Sequence, residues 1–586
     1  MKVFGRILAL LTPQERRRGM LVLAAAIVMA VVDTLGVASV MPFLAVLGNS
    51  GMIESNVWLA RLYHLGGFAS REDFLFALGL LALSMVLVAA LVRTAGQYAI
   101  LRYVNMRRYS ISLRMMKGYL GQPYIFFVGR NSADLTSRML SDVDGAVEIC
   151  LSQVLQIVAY SLVIVMLIAL LVAIDPVLVA VAFSIIAGFY LILYFSGLQS
   201  MRHAGRDRRQ ANHERFTITA EVFSDIKSVK LYGCEGTFLE RFQAATLRFA
   251  RHKALMSIFG LLPRYFLEAV SFGSVLVLAL VLMRSHGDLG AVLPIMGVYA
   301  FAGYRLLPAV QTVYQGFIDL RFHLPAIEAI GADLQLVESI RRDADTDEIL
   351  PLRQTIKFDD VAYCYPGAPR PVFSNLNFEI RVGETIGLVG PTGVGKTTAV
   401  DLLLGLLWPS QGRILIDGVA LTDENHRAWQ KNLGYVPQTI LLADASIAEN
   451  IAFGIPPEAI DRSAVEHAAK LANIHDFIVS ELPKGYDTAV GERGVRLSGG
   501  QCQRIGIARA LYRDPPVLVF DEATSALDTV TEAAVMEAIN ALQGQKTMII
   551  IAHREATVRK CDRIFQFRKG AITGVNIENE QVRSSE

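Results

Sequence analysis

Long uninterrupted apolar runs occupy the first 320 residues, whereas shorter β-like apolar runs alternate with helical patterns after residue 350. Six of the long runs reach the length of about 20 residues that crosses a bilayer as a helix. They lie at residues 20–47, 74–100, 151–174, 177–198, 254–283 and 289–313. The pattern therefore predicts a membrane all-α domain of six transmembrane helices, fused to a soluble α/β domain.

The distribution of basic residues predicts how these helices are oriented. Five Lys and Arg residues precede the first run, and the long loops 101–150 and 199–253 are rich in both residue types. The loops 48–73 and 284–288 carry only three arginines between them. Since basic loops stay on the cytoplasmic side, we expect a multi-pass membrane protein, with both termini, both long loops and the soluble domain in the cytoplasm.

The two long loops have helical patterns, so we expect each to extend its spans into the cytosol and to reverse near residues 121–124 and 225–233. The polar segment before Pro351 reads as a linker. We therefore divide the chain into a transmembrane domain with two long cytoplasmic loops, a linker and a soluble α/β domain, at residues 1–330, 331–351 and 352–586.

The predicted outer loop contains an apolar stripe at helical spacing. The stripe consists of Trp58, Leu59, Leu62, Tyr63 and Leu65. Such a stripe is typical of a helix that lies on the membrane surface, but it equally fits a packed extracellular cap. The pattern by itself leaves both interpretations open.

Composition supports a membrane protein and argues against a nucleic-acid partner. The hydrophobic fraction is 53% and the charged fraction only 19%, below the quarter that is usual for soluble chains. The net charge of +2 provides no general basic field for nucleic acid. The five cysteines show no metal-binding spacing, and we interpret them as isolated reduced thiols.

A glycine-rich loop lies between a predicted strand and a predicted helix in the soluble domain. This context indicates a phosphate-binding loop, because backbone N–H groups and the helix N-terminus attract a β-phosphate. The lysine would reach the β- and γ-phosphate oxygens, and the threonine after it would offer its hydroxyl to Mg²⁺. The candidate ATP-binding residues here are Gly390, Pro391, Thr392, Gly393, Val394, Gly395, Lys396, Thr397 and Thr398.

Two carboxylates follow a buried apolar strand at residues 516–520. At the strand end, Asp521 is suited to hold Mg²⁺. Next to it, Glu522 is suited to polarise the attacking water as a general base. In a chain that also has a phosphate-binding loop, this pair of carboxylates indicates nucleotide hydrolysis rather than an ordinary acidic loop.

Three further polar residues follow predicted strands. The carboxyl ends of parallel strands share one edge of the sheet, and ligands bind at that edge. There Gln438 would complete the Mg²⁺ shell, His553 would contact the γ-phosphate as a catalytic residue, and Tyr365 would stack on adenine.

A second anion cradle without a lysine opens a helix at residues 497–511. Its candidate nucleotide-binding residues are Ser498, Gly499, Gly500 and Gln501. Since one complete phosphate-binding loop already grips the nucleotide, the simplest role for the second cradle is to close on the same γ-phosphate from the opposite face. A second copy of the chain would supply it by two-fold symmetry, so that a homodimer shares two ATP sites.

These motifs, in the order GPTGVGKTT, VPQ, LSGGQ, LVFDEATSALD and AH, resemble the ATP-binding cassette ATPases over residues 352–586. The resemblance implies the roles given above, with ATP and Mg²⁺ as cofactors. It also implies that residues 525–528 form the D-loop across a dimer interface. The chain departs from the family at Cys502, where a basic residue or Gln is usual. Six spans before one such ATPase resemble the half-transporters of the exporter type.

Three arginines lie within apolar runs and are candidates for substrate contact: Arg93, Arg264 and Arg305. An arginine in lipid is costly and normally faces a cavity or a partner. On three helices they would surround one anionic site, and a phosphate or pyrophosphate suits guanidinium geometry. The alternative is snorkelling or internal pairing, for which Glu268 and Asp33 are candidate partners.

The membrane half also resembles the lipid-linked oligosaccharide flippases of bacterial N-glycosylation. The resemblance rests on the outer amphipathic stretch and on residues 41–43, 263–268 and 304–308. It implies a protein of the bacterial inner membrane whose cargo is a polyprenyl-pyrophosphate-linked glycan. The glycan would be flipped from the cytoplasmic to the periplasmic leaflet, with the arginines on its pyrophosphate.

Other functions remain open at this stage. An exporter of another lipid, a peptide or a drug has the same architecture, although no peptidase-like extension precedes the first span. A DNA-repair or translation ATPase uses the same cassette but lacks six spans. An ATP-gated channel would conduct a steady current, whereas a transporter would couple turnover to movement.

Overall fold

The computed structural model describes residues 2–48, 53, 57–68, 70–172, 176–286, 289–338, 348–491, 494–523, 529–552, 558–568 and 571–576. The chain forms two compact units. The first comprises Met1–Gln122 and Gly129–Arg341, and the second comprises Pro123–Val128 and Arg342–Glu586.

The secondary-structure elements among the described residues of the first unit are all helices. Its helices are α1 (Lys2–Ala9), α2 (Pro13–Ala38), α3 (Val40–Gly48), α4 (Val57–Leu65), α5 (Arg71–Leu120), α6 (Ser132–Thr136), α7 (Glu148–Val172), α8 (Pro176–Ser224), α9 (Ile226–Tyr232), α10 (Glu235–His286) and α11 (Leu289–Glu338). A π-helical stretch, Ser137–Val147, joins α6 to α7. Among the described residues, three helical segments are long and apolar enough to cross a membrane: Pro13–Gly36, Arg71–Leu120 and Ser132–Ala169.

The first predicted span is not one continuous helix. The structure divides it into α2 and α3 at Ser39, whose backbone N–H still bonds to the Leu35 carbonyl. Pro42 follows three residues later, and a proline removes the hydrogen bond to the carbonyl four residues before it. The expectation of a single apolar helix over 20–47 is therefore wrong, and the other five runs lie along α5, α7, α8, α10 and α11.

Helices end at both positions where the sequence predicts that the chain reverses. Helix α5 has 50 residues, or roughly 75 Å at 1.5 Å per residue, and it ends at the cap residue Gly121. Helix α8 ends at Ser224, and the following short helix α9 is capped by Gly233 in the left-handed conformation, with a φ of 59°. Glycine adopts this conformation without the steric penalty of a Cβ atom.

The apolar stripe of the outer segment divides between two environments. Leu59 is buried in a cluster with Phe74, and the rings of Tyr63 and Phe74 meet edge to face at 5.2 Å. Trp58 and Leu65 are 73% and 85% exposed. Helix α4 therefore packs on the helix bundle through one edge of the stripe, and the edge with Trp58 and Leu65 is exposed in the part of the chain that the structure describes.

The second unit contains a six-stranded and a four-stranded sheet. The strands are β1 (Thr355–Tyr363), β2 (Phe373–Arg381), β3 (Thr385–Val389), β4 (Gln411–Ile416), β5 (Val419–Ala420), β6 (Leu433–Val436), β7 (Val517–Asp521), β8 (Thr547–Ile551), β9 (Arg563–Arg568) and β10 (Ala571–Asn576). The helices are α12 (Lys396–Leu403), α13 (His426–Gln430), α14 (Ile447–Ile451), α15 (Arg462–Leu471), α16 (His475–Glu481), α17 (Gly499–Leu511) and α18 (Thr529–Asn540).

The larger sheet has the order β10-β9-β3-β8-β7-β6, in which all pairings except β10–β9 are parallel. The smaller sheet is antiparallel, with the order β2-β1-β4-β5. Every residue of β7 and β8 is buried, as expected for parallel strands that are covered on both faces. Because these strands run in one direction, the carboxyl ends of β3, β6, β7 and β8 all lie at one edge of the sheet.

Candidate nucleotide-binding site

The glycine-rich loop connects buried strand β3 to helix α12. Gly390, Gly393 and Gly395 have φ values of 151°, 79° and 106°, a region that disfavours side chains. A Cβ atom on Gly395 would lie 2.6 Å from Cγ1 of Val372. The loop conformation therefore requires glycine both for backbone freedom and for close packing.

The lysine of the loop folds back over it. The ammonium of Lys396 donates hydrogen bonds to the carbonyl oxygens of Gly390 and Pro391 at 2.7 and 3.1 Å. Burial lowers the pKa of Lys396, while the charges of Glu522 and Asp521 raise it. The positive charge thus lies between the phosphate-binding loop and the two predicted carboxylates, where it can neutralise a phosphate.

The end of β7 brings both predicted acidic residues into the site. Asp521 is buried at the strand tip, and Glu522 follows it with a φ of 49°. A non-glycine residue in this left-handed region costs about 1 kcal/mol or more, and such strain concentrates at functional sites. The side-chain amide of Gln438 donates to Glu522 at 2.7 Å, so the ends of β6 and β7 meet here.

Two residues that the sequence did not single out also border this carboxylate pair. The hydroxyl of Tyr435 on β6 donates to Asp521 at 3.4 Å. Asp401 on α12 is buried, and burial together with the Asp521 charge raises its pKa to about 6. An acidic residue inside the apolar stretch of α12 was the available sequence signal for Asp401.

The predicted adenine-stacking tyrosine lies beside the same loop. Its hydroxyl shares a hydrogen bond of 3.2 Å with the hydroxyl of Thr398, and its ring meets that of Tyr363 edge to face at 5.0 Å. Tyr365 is thus anchored at the phosphate-loop helix. Because Thr398 is buried while the neighbouring Thr397 is exposed, Thr397 is the hydroxyl available to a metal ion.

A short segment of the first long loop belongs to this unit. Residues Pro123–Val128 contain a 3₁₀ turn, and Ile125 packs against the same hydrophobic core as Tyr365. Burial raises the pKa of Tyr124, as do the charges of Asp401 and Tyr365. A reversal of the chain at this point was predicted from the sequence, but its proximity to Asp401 was not.

The lysine-less cradle forms the N-terminus of α17. Ser498 accepts a hydrogen bond from the backbone N–H of Gln501, and the Gln501 side chain accepts one from Ser498 in return. This capping box fixes the first turn while Ser498 and Gly499 remain exposed and Gly500 is buried. Within the described part of the chain, no hydrogen bond or ion pair joins residues 498–501 to the loop at 390–398.

Two predicted features lie outside the described residues. They are His553, predicted to contact the γ-phosphate, and the D-loop at residues 525–528. Strand β8 ends at Ile551, and Ala552 donates its backbone N–H to Leu388 on β3.

The three arginines of the membrane half form three ion pairs in two separate groups. Asp33 on α2 is buried, and its Oδ1 lies 2.9 Å from Arg305 and 3.9 Å from Arg93. Arg264 pairs with Glu268 one turn away on α10, at 2.8 Å. The structure therefore brings Arg93 and Arg305 together around Asp33, whereas Arg264 belongs to a separate pair and not to the predicted site of three arginines. Both groups consist of the internal pairs that the sequence left open as the alternative.

Comparison with known proteins identifies both halves. The ABC transporter family matches residues 373–525, and the ABC transporter transmembrane region matches residues 39–292. ABC transporter B family member 29, chloroplastic, of Arabidopsis thaliana is 32% identical over 476 residues, which are 80% of this chain and 74% of that protein. The ATP-dependent lipid A-core flippase of Burkholderia orbicola is 31% identical over 510 residues, covering 85% and 84% of the two chains.

A solved structure shows the same fold. The structure of a bacterial Atm1-family ABC exporter with ATP bound superposes with a TM-score of 0.77 at 24% sequence identity, over 97% of this chain and 96% of that one. A membrane domain of the exporter type is thus fused to an ATPase domain that uses ATP with Mg²⁺. The chain is a half-transporter of the ATP-binding cassette exporter family.

Proposed function

We propose that this protein is a homodimeric flippase of the bacterial inner membrane, with its ATPase domain and both termini in the cytoplasm. Its cargo is an amphipathic anionic lipid, a polyprenyl-pyrophosphate-linked oligosaccharide, moved from the cytoplasmic to the periplasmic leaflet. The main support for the proposal is that Arg93 and Arg305 lie together around Asp33 on apolar helices. Residues 1–330, 331–351 and 352–586 serve as transmembrane domain, linker and ATPase.

Each residue of the nucleotide site has a proposed role. The loop 390–398 holds the phosphates, Lys396 neutralises the β- and γ-oxygens, and Tyr365 stacks on adenine. Glu522, held by Gln438, accepts the proton of the attacking water, and His553 contacts the γ-phosphate. Thr397, Gln438 and Asp521 offer the oxygen ligands that Mg²⁺ prefers, and the ion supplies charge neutralisation at the phosphates.

The ATP site is completed by a second copy of the chain. Helix α17 presents an exposed N-terminus at Ser498 and Gly499, and an uncovered helix N-terminus attracts phosphate. The cradle of one copy would close on the nucleotide held by Lys396 of the other. Two-fold symmetry then gives two equal sites, and closing them drives the membrane helices between inward and outward states.

Mixed dimers test this arrangement. A Lys396→Ala chain and a Ser498→Ala chain should each be inactive alone, whereas their mixed dimer retains one intact site. We expect phosphate release to recover on mixing the two purified chains under conditions that allow exchange. Full activity of either variant alone, or of wild-type protein kept monomeric, would refute the shared site.

The charge balance of the membrane helices supports an anionic cargo. Asp33 neutralises only one of the two arginines near it, so the group carries a net positive charge, and the Arg264–Glu268 pair is neutral. A net charge in an apolar environment is unfavourable unless a counter-charge is present. A phosphate or pyrophosphate of the cargo is suited to supply that charge.

The relatives favour a second candidate cargo within the same chemistry. Several are ATP-dependent lipid A-core flippases, at 28–31% identity. Lipid A-core and a polyprenyl-pyrophosphate glycan are both anionic glycolipids. The two candidates differ in the lipid that carries the sugars, which is lipid A in one and a polyprenyl chain in the other. An assay that compares the two lipids therefore distinguishes them.

Reconstitution into liposomes tests the cargo. We expect a polyprenyl-pyrophosphate-linked oligosaccharide to stimulate ATP hydrolysis, and Arg305→Gln to abolish the stimulation without lowering basal turnover. Stimulation by lipid A-core alone would favour the second candidate. If neither lipid stimulates, and Arg93, Arg264 and Arg305 can each be replaced without loss, the flippase assignment is wrong.

A further inference from the structure

A cavity of about 410 Å³ opens between helices α7, α10 and α11. Its volume falls within the range of small-molecule sites. Its described lining residues carry no charge, and its polar lining consists of four glutamines, a serine and a threonine: Gln153, Gln156, Gln311, Gln315, Ser257 and Thr312. We call it the amide cavity.

A buried carboxylate fixes two of these glutamines. Asp319, which is 5% exposed, accepts hydrogen bonds from Nε2 of Gln153 at 2.9 Å and from Nε2 of Gln315 at 3.1 Å. Each amide nitrogen uses one of its two N–H groups in this bond. Asp319 therefore fixes the orientation of Gln153 and Gln315.

The polar lining of the cavity combines hydrogen-bond donors and acceptors without a charge. A glutamine amide offers both N–H groups and a carbonyl oxygen, and a serine or threonine hydroxyl both donates and accepts. The hydroxyl groups of a ligand likewise donate and accept. The amide cavity is thus suited to an uncharged group that is rich in hydroxyls.

The cavity lies close to the cationic group along the same helix. Arg305 and Gln311 are six residues apart on α11, and Arg305 and Gln315 are ten apart, or roughly 9–15 Å along the axis at 1.5 Å per residue. An anionic group and a neutral polyhydroxyl group at this separation are the chemistry of a sugar joined to a phosphate. An apolar tail would leave the amides unpaired and is a poor occupant.

We propose that the amide cavity binds the hydroxyl groups of the cargo's sugars, while Arg93 and Arg305 bind its phosphate. The proposal rests on the proposed function and adds a second recognition site to it. The lipid would be recognised at two points, the charge at one and the glycan at the other. Asp319 acts as a positioning residue, because it orients Gln153 and Gln315 without lining the cavity.

Paired lipids test the proposal on the full-length protein in detergent. The probes are a short-chain polyprenyl pyrophosphate and the same lipid carrying an uncharged trisaccharide, with binding measured by titration. Wild type should bind the glycosylated lipid more tightly. Gln311→Leu and the isosteric Thr312→Val should each weaken binding of the glycosylated lipid by about 3- to 10-fold, as expected for one lost hydrogen bond, and leave the bare lipid unchanged.

Two further variants complete the test. Gln243→Leu, an exposed position on α10, is the matched control and should not alter either affinity. Asp319→Asn places a donor opposite the two glutamines, and it should reduce the preference for the glycosylated lipid while binding of the bare lipid persists. If Asp319 has only a structural role, Asp319→Asn should weaken the binding of both lipids to the same degree.

The outcomes separate this inference from the proposed function. If wild type binds both lipids equally, the sugar site is refuted while the flippase assignment stands. If the cavity variants weaken both lipids to the same degree, the sugar site is likewise refuted. If wild type binds neither lipid, the proposed function itself fails.

Discussion

The side-chain amide of Gln438 donates a hydrogen bond from Nε2 to Oε2 of Glu522 at 2.7 Å. The contact joins the loops after β6 and β7, which are neighbours in the sheet but 84 residues apart in sequence. It holds a carboxylate whose own backbone is in the left-handed region. Glu522 is thereby fixed at the edge of the sheet where the phosphate-binding loop also lies.

The first prediction concerns this carboxylate. Replacement Glu522→Gln should preserve ATP binding, because the phosphate contacts remain, and should lower the rate of hydrolysis by about 10²–10⁴-fold, the usual contribution of a general base. Phosphate release and equilibrium ATP binding are the two measurements. The control is Glu481→Gln, at an exposed position on α16. Near-normal turnover of the Glu522 variant would show that Glu522 is not the general base.

A second prediction concerns the loop glycine Gly395. In Gly395→Ala, the added methyl group meets Val372 and the backbone has a φ of 106°. Strain of about 1–3 kcal/mol should displace the loop and weaken ATP binding about tenfold or more. Gly418→Ala is the matched control, since its φ is 83° but its Cβ would meet no atom within 4 Å. Equal ATP affinities of the two variants would contradict the close-packing argument.

A third prediction concerns the buried ion pair in the membrane half. Asp33→Asn leaves Arg305 and Arg93 without their carboxylate, and removing one partner of a buried pair costs about 3 kcal/mol or more. The melting temperature in detergent should fall. The double variant Asp33→Asn/Arg305→Gln should recover part of the loss. If the double variant melts at a lower temperature than Asp33→Asn alone, the loss of stability does not come from the unpaired Arg305.

A fourth prediction concerns pH. Burial and the Asp521 charge raise the pKa of Asp401 to about 6, above its usual value of 3.8. The folded state therefore retains this proton between about pH 4 and pH 6, and the stabilisation it gives is lost as the pH rises through 6. Relative to wild type, Asp401→Asn should gain up to about 3 kcal/mol between pH 4 and pH 7. Melting curves of both proteins across this range provide the measurement, and a pH-independent difference would contradict the assignment.

The sequence by itself determined the two halves of the protein and most of the nucleotide chemistry. Apolar runs of bilayer length and a strand–glycine-rich loop–helix pattern are local properties, so no distant contact was needed to recognise them. The chain reversals near residues 121 and 233 were predictable for the same reason, since glycine at a helix end is a local signal. The break at Ser39 was also encoded locally, by Pro42, but a long hydrophobic run obscured it.

Only the tertiary structure decided which distant residues share a site. The meeting of Gln438 with Glu522, of Tyr435 with Asp521 and of Asp33 with Arg305 depends on strand order and helix packing. The amide cavity likewise requires three helices and a buried Asp319 that fixes two glutamines. Hydrophobic and glycine patterns specify which elements form, whereas hydrogen bonds between elements far apart in sequence follow from how those elements pack.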